Sequence, residues 1–547
     1  MTSEAKHRRV FSRAWTSGEL ILAVALFIAV AANTKFFSSA VTALGAKPSM
    51  WAFHGSLFLS VVALFFLLLS AVCHRALVKP VLITILILSS ILSYFTHAYG
   101  TVFDPQMIAN AMQTDRAEAA DLYNPAMLIW IGLLGVLPSI AVWKARLVFP
   151  NWRVETIARL KLAGVAFAVL AVSGATFSGH YAGLLRLHGE VTSKAVPTYA
   201  LLSAVRHAVH ALPKAKHGHE SVGRDANRSP ADGHHELVIM VVGETVRADH
   251  WGLNGHLPDT TPMLRKENVV NFPDVWSCVT STAISVPCMF SNLGHRRFDN
   301  ATAASRDNAL DILARAGVSV LWRDNNSSSK GVADRLPHQD FRSPPLNPVC
   351  EGGECRDEGM LDGLQNYIDA QKGDVLVVLH QMGNHGPAYF KRYPKEFERF
   401  TPVCRTSDLG SCTKQEISNT YDNAILYTDH FLSKVIALLK ANDAKFETAM
   451  IYVSDHGESL GEYGLYLHGA PYALAPEAQR HVPAVIWLGE NIKHDIVGTS
   501  VQDRSRRRWS HDNIFSTLLG FFEIKSSAYD SKMDLLERAA VELTQGH

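Results

Sequence analysis

Five apolar stretches, near residues 19–33, 52–73, 79–98, 124–143 and 160–177, dominate the beginning of the chain. Each is about long enough to cross a hydrocarbon core, which takes roughly 20 residues. The pattern then changes. Short apolar runs, LVIMVV (237–242), VSVLW (318–322), DVLVVL (374–379), TAMIYV (448–453) and AVIWL (484–488), alternate with helix-like segments. Runs of that kind suit parallel strands buried on both faces, and their alternation with helices predicts a doubly wound α/β sheet. Between the two regions, residues 212–236 are polar, contain Pro and Gly and lack apolar periodicity, as a linker does. The expected organisation is a five-span transmembrane domain over 1–180, a connecting helix and linker over 181–235, and a soluble domain over 236–547.

Charge adds orientation. The 52 basic and 51 acidic residues nearly cancel, so no global field points to nucleic acid. Basic residues beside spans accumulate on the cytoplasmic side. His7, Arg8, Arg9 and Arg13 before the first span, Arg75 and Lys79 in the 74–79 turn, and Lys144, Arg146, Arg153, Arg159 and Lys161 in the 144–161 loop all fall on one side. The first span lacks a small-residue cleavage site and is expected to stay as an anchor. An odd number of spans then places everything after residue 180 outside the cytoplasm. The spans carry few ionisable residues besides His54, which argues against a channel or transporter with an accessory domain.

Cysteine usage agrees with that compartment. Cys73 lies alone in a span, whereas Cys278/Cys288, Cys350/Cys355 and Cys404/Cys412 form close pairs in the soluble part. Local disulfides are the simplest of their possible connectivities in an oxidising compartment. The CxxC spacing of a zinc-thiolate cluster is absent. His217, His219, His234 and His235 read as solvated linker residues.

In doubly wound sheets the active site lies beyond the carboxyl ends of the strands. Three of the predicted strands are followed by metal-capable residues: Gly243-Glu244-Thr245, His380 leading to Asn384-His385, and Ser454-Asp455-His456. Glu244, Asp455 and His456 supply two carboxylates and an imidazole, a donor set suited to Zn²⁺ or Mn²⁺. CVTSTAISVPC (278–288) offers Thr280, Ser281, Thr282 and Ser285 within one predicted disulfide loop, and SVPCMFSNL (285–293) can begin a helix. A hydroxyl there gains from a nearby metal and from a helix N-terminus that favours an anionic phosphate.

These segments together resemble the phosphoethanolamine transferases that modify lipid A, a family that includes the mobile colistin-resistance enzymes, over nearly the whole chain. The likeness rests on VVGETVRADH (241–250), TSTAISVPCMFS (280–291), RDNNSSSKG (323–331), HQMGNHGP (380–387) and SDHGESLGEYGLYLHG (454–469). A wider resemblance is to alkaline phosphatases and sulfatases, which implies an alkaline-phosphatase-like sheet for the soluble, periplasmic domain. The loop between Cys350 and Cys355 is shorter than the family pattern implies.

The resemblance implies a primary zinc site of Glu244, Thr282, Asp455 and His456, with Thr282 also the nucleophile that carries a covalent phosphoethanolamine. It selects Thr282 among the four hydroxyls. His385 and His468 match residues that bind the phosphate or a second zinc, with His380 close in sequence. Lys330, with Asn326 near it, matches a contact to the substrate phosphate, and Asn110 and Glu118 match residues that hold the lipid near the membrane. The implied protein is a multi-pass inner-membrane enzyme, a monomer. Its implied reaction moves the head group of phosphatidylethanolamine onto lipid A phosphate in lipopolysaccharide. Transfer to a core-oligosaccharide sugar, phosphoglycerol transfer and a lipid phosphodiesterase keep the same fold and stand as alternatives.

Overall fold

The computed structural model describes residues 14–114, 116–211, 218–228, 233–492 and 498–536. His7, Arg8, Arg9, Arg13 and His217, together with the side chain of Glu118, lie outside the described residues. The chain divides into two compact units, one of Met1–Ile108 with Tyr123–His210, the other of Ala109–Leu122 with Ala211–His547.

In the first unit four helices are long and apolar enough to span a membrane: Pro48–Val72, Val78–Ala98, Pro125–Lys144 and Trp152–Thr176. The expected first span is a bent pair, Ser17–Ala32 and Thr34–Leu44, meeting at 60°. Counted as one span it brings the total to five. Asn33 sits at the break, fully buried, where its amide donates to Ile28 O (3.0 Å) and Val196 O (2.7 Å) and accepts from Val196 N (3.0 Å). Those bonds satisfy backbone groups that a break in apolar surroundings would leave unpaired. Glu155 gathers the segments read as cytoplasmic, accepting from Ser17 Oγ (2.8 Å), Arg75 Nε (2.7 Å) and Arg159 Nη2 (3.0 Å). Cys73 is a buried free thiol.

The second unit is built on a mixed sheet of β1 (Glu236–Gly243), β2 (Val270–Trp276), β3 (Ser319–Asp324), β4 (His338–Asp340), β5 (Val375–His380), β6 (Glu447–Ser454), β7 (His481–Leu488) and β8 (Trp509–Ser510). Their spatial order is β8-β2-β7-β6-β1-β5-β3-β4. β1 shows why the pattern reads as continuous apolar sequence. Val238, Met240 and Val242 enter one core, with Leu310, Leu313, Phe515 and Leu518, while Leu237, Ile239 and Val241 enter the other, with Ile425, Leu432, Val435 and Leu439. Successive side chains point to opposite faces, and each face is covered by helices.

β3, β5, β1 and β6 run parallel, as predicted, and the short β4, which no apolar run announces, pairs parallel with β3. The run at 484–488 is a correction: β7 pairs antiparallel with both β6 and β2. Residues 455–480 contain no long helix to carry the chain back across the sheet, so β7 starts at the edge where β6 ends. β2 is antiparallel to β7 and therefore points its carboxyl end, Trp276, to the same edge as Gly243, Asp324, His380 and Ser454. β2 was not legible because Pro273 interrupts it, and a proline cannot donate to the ladder.

Helix Lys414–Asn442 covers one face. It begins at a capping box in which Thr413 N donates to Glu416 Oε2 (2.7 Å) and Glu416 N to Thr413 Oγ1 (3.3 Å). Thr413→Ala removes the cap from an exposed site and should lower unfolding stability by about 1 kcal/mol, with activity unchanged in the folded protein. Denaturant titration checks this. Cys278–Cys288, Cys350–Cys355 and Cys404–Cys412 are bonded as the spacing predicts.

Candidate active site

The parallel strand ends deliver residues far apart in sequence to one edge. Glu244 follows β1, Asp455 and His456 follow β6, and all three are fully buried with ligand atoms within 4.8 Å of one another. Thr245 takes a left-handed conformation, φ 61°, uncommon for a β-branched residue. That turn aims Thr245 N at Asp455 Oδ1 (3.1 Å), and Tyr421 Oη holds it by donating to Thr245 O (2.6 Å). Gly383 packs against the same point. A Cβ there would meet Glu244 O at 2.8 Å, and its φ of 49° is one that glycine adopts freely.

Thr282 is the first residue of helix Thr282–Met289, inside the Cys278–Cys288 loop. Its Oγ1 donates to Glu244 Oε2 at 3.2 Å and lies 3.1 Å from His456 Nε2. The other three hydroxyls bond elsewhere or not at all. Thr280 Oγ1 donates to Ala470 O (2.6 Å), Ser285 Oγ donates to Asp455 O, and Ser281 Oγ is buried without a partner. Of these four, Thr282 is the hydroxyl that contacts both Glu244 and His456, while Thr245 Oγ1 donates to the other Glu244 oxygen.

The cluster suits a divalent cation. Asp455 Oδ1 accepts from Thr245 N and His456 N (2.7 Å), whereas Oδ2 is buried with no hydrogen-bond partner. His456 Nδ1 donates to Gly457 O at 2.8 Å, which turns the lone pair of Nε2 toward the carboxylates. Burial and the nearby Glu244 charge both raise the Asp455 carboxyl. Burial would raise Glu244 as well, but the imidazoles of His456, His385 and His468 outweigh it and hold that carboxyl low. A cation among these oxygens replaces mutual repulsion with attraction.

His468 lies beside His456, with ring centroids 4.2 Å apart, and 5.9 Å from His385. Burial disfavours its charge, yet the Glu458 carboxylate, 3.2 Å from Nδ1, pushes it up to about 9. Tyr389 Oη donates to the other Glu458 oxygen at 3.1 Å. His380 is fully buried, paired through Nδ1 with Asp324 Oδ2 (2.9 Å). Asn326 donates to Glu244 Oε2 (2.7 Å) and Gln381 O (2.9 Å), so it steadies the cluster carboxylate directly. Lys330 lines a cleft with Ala283, Pro287, Ser291 and Gln113. Asn110 is half-buried in helix Pro105–Gln113, its Oδ1 unpartnered.

Sequence reasoning missed several neighbours. His511 accepts from Cys278 N (3.1 Å) at Nδ1 and donates from Nε2 to Ser454 O (2.9 Å), tying the Thr282 loop to the Asp455 strand. Burial pushes it down to about 4, so it stays neutral in that role. Its only sequence signal is the capping box SHDN at 510–513. Asp121 accepts from Lys391 Nζ (2.7 Å) and Arg392, and lines a second cleft with His385, Asn326 and Glu354.

Both units have known relatives. Residues 61–212 match the family model "Phosphoethanolamine transferase EptA/EptB", and residues 236–524 match the sulfatase model. The chain is 44% identical over 513 residues to the phosphatidylethanolamine transferase Mcr-2 of Escherichia coli, covering 92% of this chain and 94% of that one. It is 37% identical over 534 residues to the phosphoethanolamine transferase EptA of Escherichia coli K12, covering 94% and 96%. The solved structure of the integral membrane lipooligosaccharide phosphoethanolamine transferase A of Neisseria meningitidis superposes with a TM-score of 0.92 at 35% identity, covering 96% of this chain and 99% of that one.

Proposed function

The chain belongs to the EptA/EptB family of phosphoethanolamine transferases, and from that premise we propose that it moves the head group of phosphatidylethanolamine onto a lipid A phosphate through a phospho-Thr282 intermediate. The enzyme sits in the inner membrane with its soluble unit in the periplasm. The observation that carries the mechanism is the placement of Thr282 Oγ1 within 3.2 Å of both Glu244 and His456, beside an unpartnered Asp455 oxygen.

Glu244, Thr282, Asp455 and His456 would hold a zinc ion, whose charge lowers the pKa of a hydroxyl and balances phosphoryl oxygens. In the first displacement Thr282 Oγ1 forms a bond to the donor phosphorus as the bond to the glyceryl oxygen breaks, and that oxygen takes up the proton that Thr282 gives up, releasing diacylglycerol. Glu244 Oε2 already accepts the hydroxyl proton, and the N-terminus of helix Thr282–Met289 faces the incoming phosphate. In the second displacement an oxygen of the acceptor phosphate bonds to the same phosphorus and Thr282 Oγ1 departs. His468, oriented by Glu458, is placed to clamp a phosphoryl oxygen or return a proton, and His385 stands beside it. Lys330, Asn110 and Glu118 are assigned to the lipid substrates. Confinement of both substrates to the membrane surface raises their effective concentration at an anchored site.

Mass spectrometry of lipid A from cells with and without the protein tests the reading. One added phosphoethanolamine on lipid A is expected. Its appearance only on the core oligosaccharide would move the acceptor, and an unmodified lipopolysaccharide throughout would overturn the proposal.

A further inference from the structure

A second metal-capable cluster lies on the segment that Glu244 begins. His250 closes the short turn Ala248–His250, His256 follows the turn Gly252–Asn254, and Asp422 projects from helix Lys414–Asn442. His250 Nδ1 is 2.6 Å from Asp422 Oδ1, and His256 Nε2 is 3.1 Å from Asp422 Oδ2. The imidazoles lie face to face at a tilt, centroids 4.5 Å apart, with all three donor atoms within 4.8 Å of one another. We propose that His250, His256 and Asp422 bind a divalent transition-metal ion, Zn²⁺ above others, that clamps the catalytic loop to this helix.

Two imidazoles and one carboxylate favour zinc over the hard, oxygen-seeking Mg²⁺ or Ca²⁺. The side chains are 12%, 15% and 1% exposed, which leaves a fourth position for water and a route for the ion. Among the described residues Asp422 pairs with no lysine or arginine; the two imidazoles are its ionic partners. The backbone is held in place beforehand. Thr260 Oγ1 donates to His250 O (2.7 Å) and accepts from Gly252 N (2.9 Å). Without an ion, ring N–H groups satisfy Asp422. With one, each ring ligates through the nitrogen that faces Asp422 and carries its proton on the other nitrogen.

The neighbouring residue shows what the clamp would steady. Tyr421 Oη accepts from Arg247 N (3.0 Å) and donates to Thr245 O, next to Glu244. An ion on Asp422 would therefore fix the segment from 244 to 256 to the helix at two adjacent residues.

The test is zinc content per chain of the detergent-purified full-length protein, by inductively coupled plasma mass spectrometry after equilibration with zinc and dialysis. His256→Gln keeps an amide that can donate to Asp422 while removing a good zinc donor. It should lose one ion per chain relative to wild type, and lose one again when added to Asp455→Ala, which disables the catalytic cluster. The zinc-induced rise in Tm, measured against each chelated variant, should also shrink. Asp422→Asn serves as the second variant if His256→Gln folds poorly. Zinc contents that these substitutions leave unchanged in both backgrounds would overturn the site, whatever group the enzyme transfers.

Discussion

Thr282→Ala is expected to abolish transfer, with a fall in rate on the order of a thousand-fold or more, because in the proposed mechanism one substitution removes both the attacking oxygen and a donor to the metal cluster. Thr282→Ser keeps the oxygen but loses the methyl group that restricts the side-chain torsion, so it should retain measurable turnover. The neighbours provide the contrast. Thr280→Ala loses one hydrogen bond to Ala470 O, an effect of about 1 kcal/mol. Ser285→Ala loosens the contact to Asp455 O without touching the nucleophile. The discriminating measurement is intact mass after incubation with phosphatidylethanolamine and no acceptor, followed by peptide sequencing. A phosphoethanolamine adduct on any residue other than Thr282, or full transfer by Thr282→Ala, would reopen the choice among the hydroxyls.

Metal removal is expected to have the second large effect. Exhaustive chelation should eliminate activity while leaving the fold intact, since the ligands stand at the ends of strands whose cores lie on the two sheet faces, away from the cluster. Ion-free protein keeps Glu244 and Asp455 buried together without a lysine or arginine between them among the described residues. It should therefore unfold at a lower temperature than the loaded form. Asp455→Asn separates the two effects. The amide oxygen can still accept from Thr245 N and His456 N, and one of the repelling charges is gone. The ion-free variant should unfold no lower than ion-free wild type, yet show little activity and a much smaller thermal response to zinc. Calorimetry with and without chelator reads the first comparison, and head-group transfer the second. Full activity after chelation would sink the metal-dependent reading.

What could be read from the sequence was whatever a local pattern must satisfy. Apolar stretches near 20 residues have few alternatives to crossing a membrane, and LVIMVV must be buried on both faces because neither alternate set is polar. Glu244, Asp455 and His456 were legible because metal-capable residues directly follow such strands. The bend at Asn33 was not, since its partner Val196 lies on a distant segment that no periodicity announces. The antiparallel course of β7 was hidden for a similar reason: a buried apolar run has the same composition in either direction, and only the route taken by residues 455–480 decides it.

The site divides the same way. Thr280, Ser281, Thr282 and Ser285 are chemically alike in the sequence, and the resemblance to a family chose among them before any geometry did. In the folded chain only Thr282 has its oxygen between Glu244 and His456, residues 38 and 174 positions away. His511, Glu458 and the His250-His256-Asp422 cluster escaped notice because each acts through partners on another element. A hydrogen bond or a shared ligand position is a relation between two segments, and tertiary packing alone brings those segments within 3 Å or so of each other.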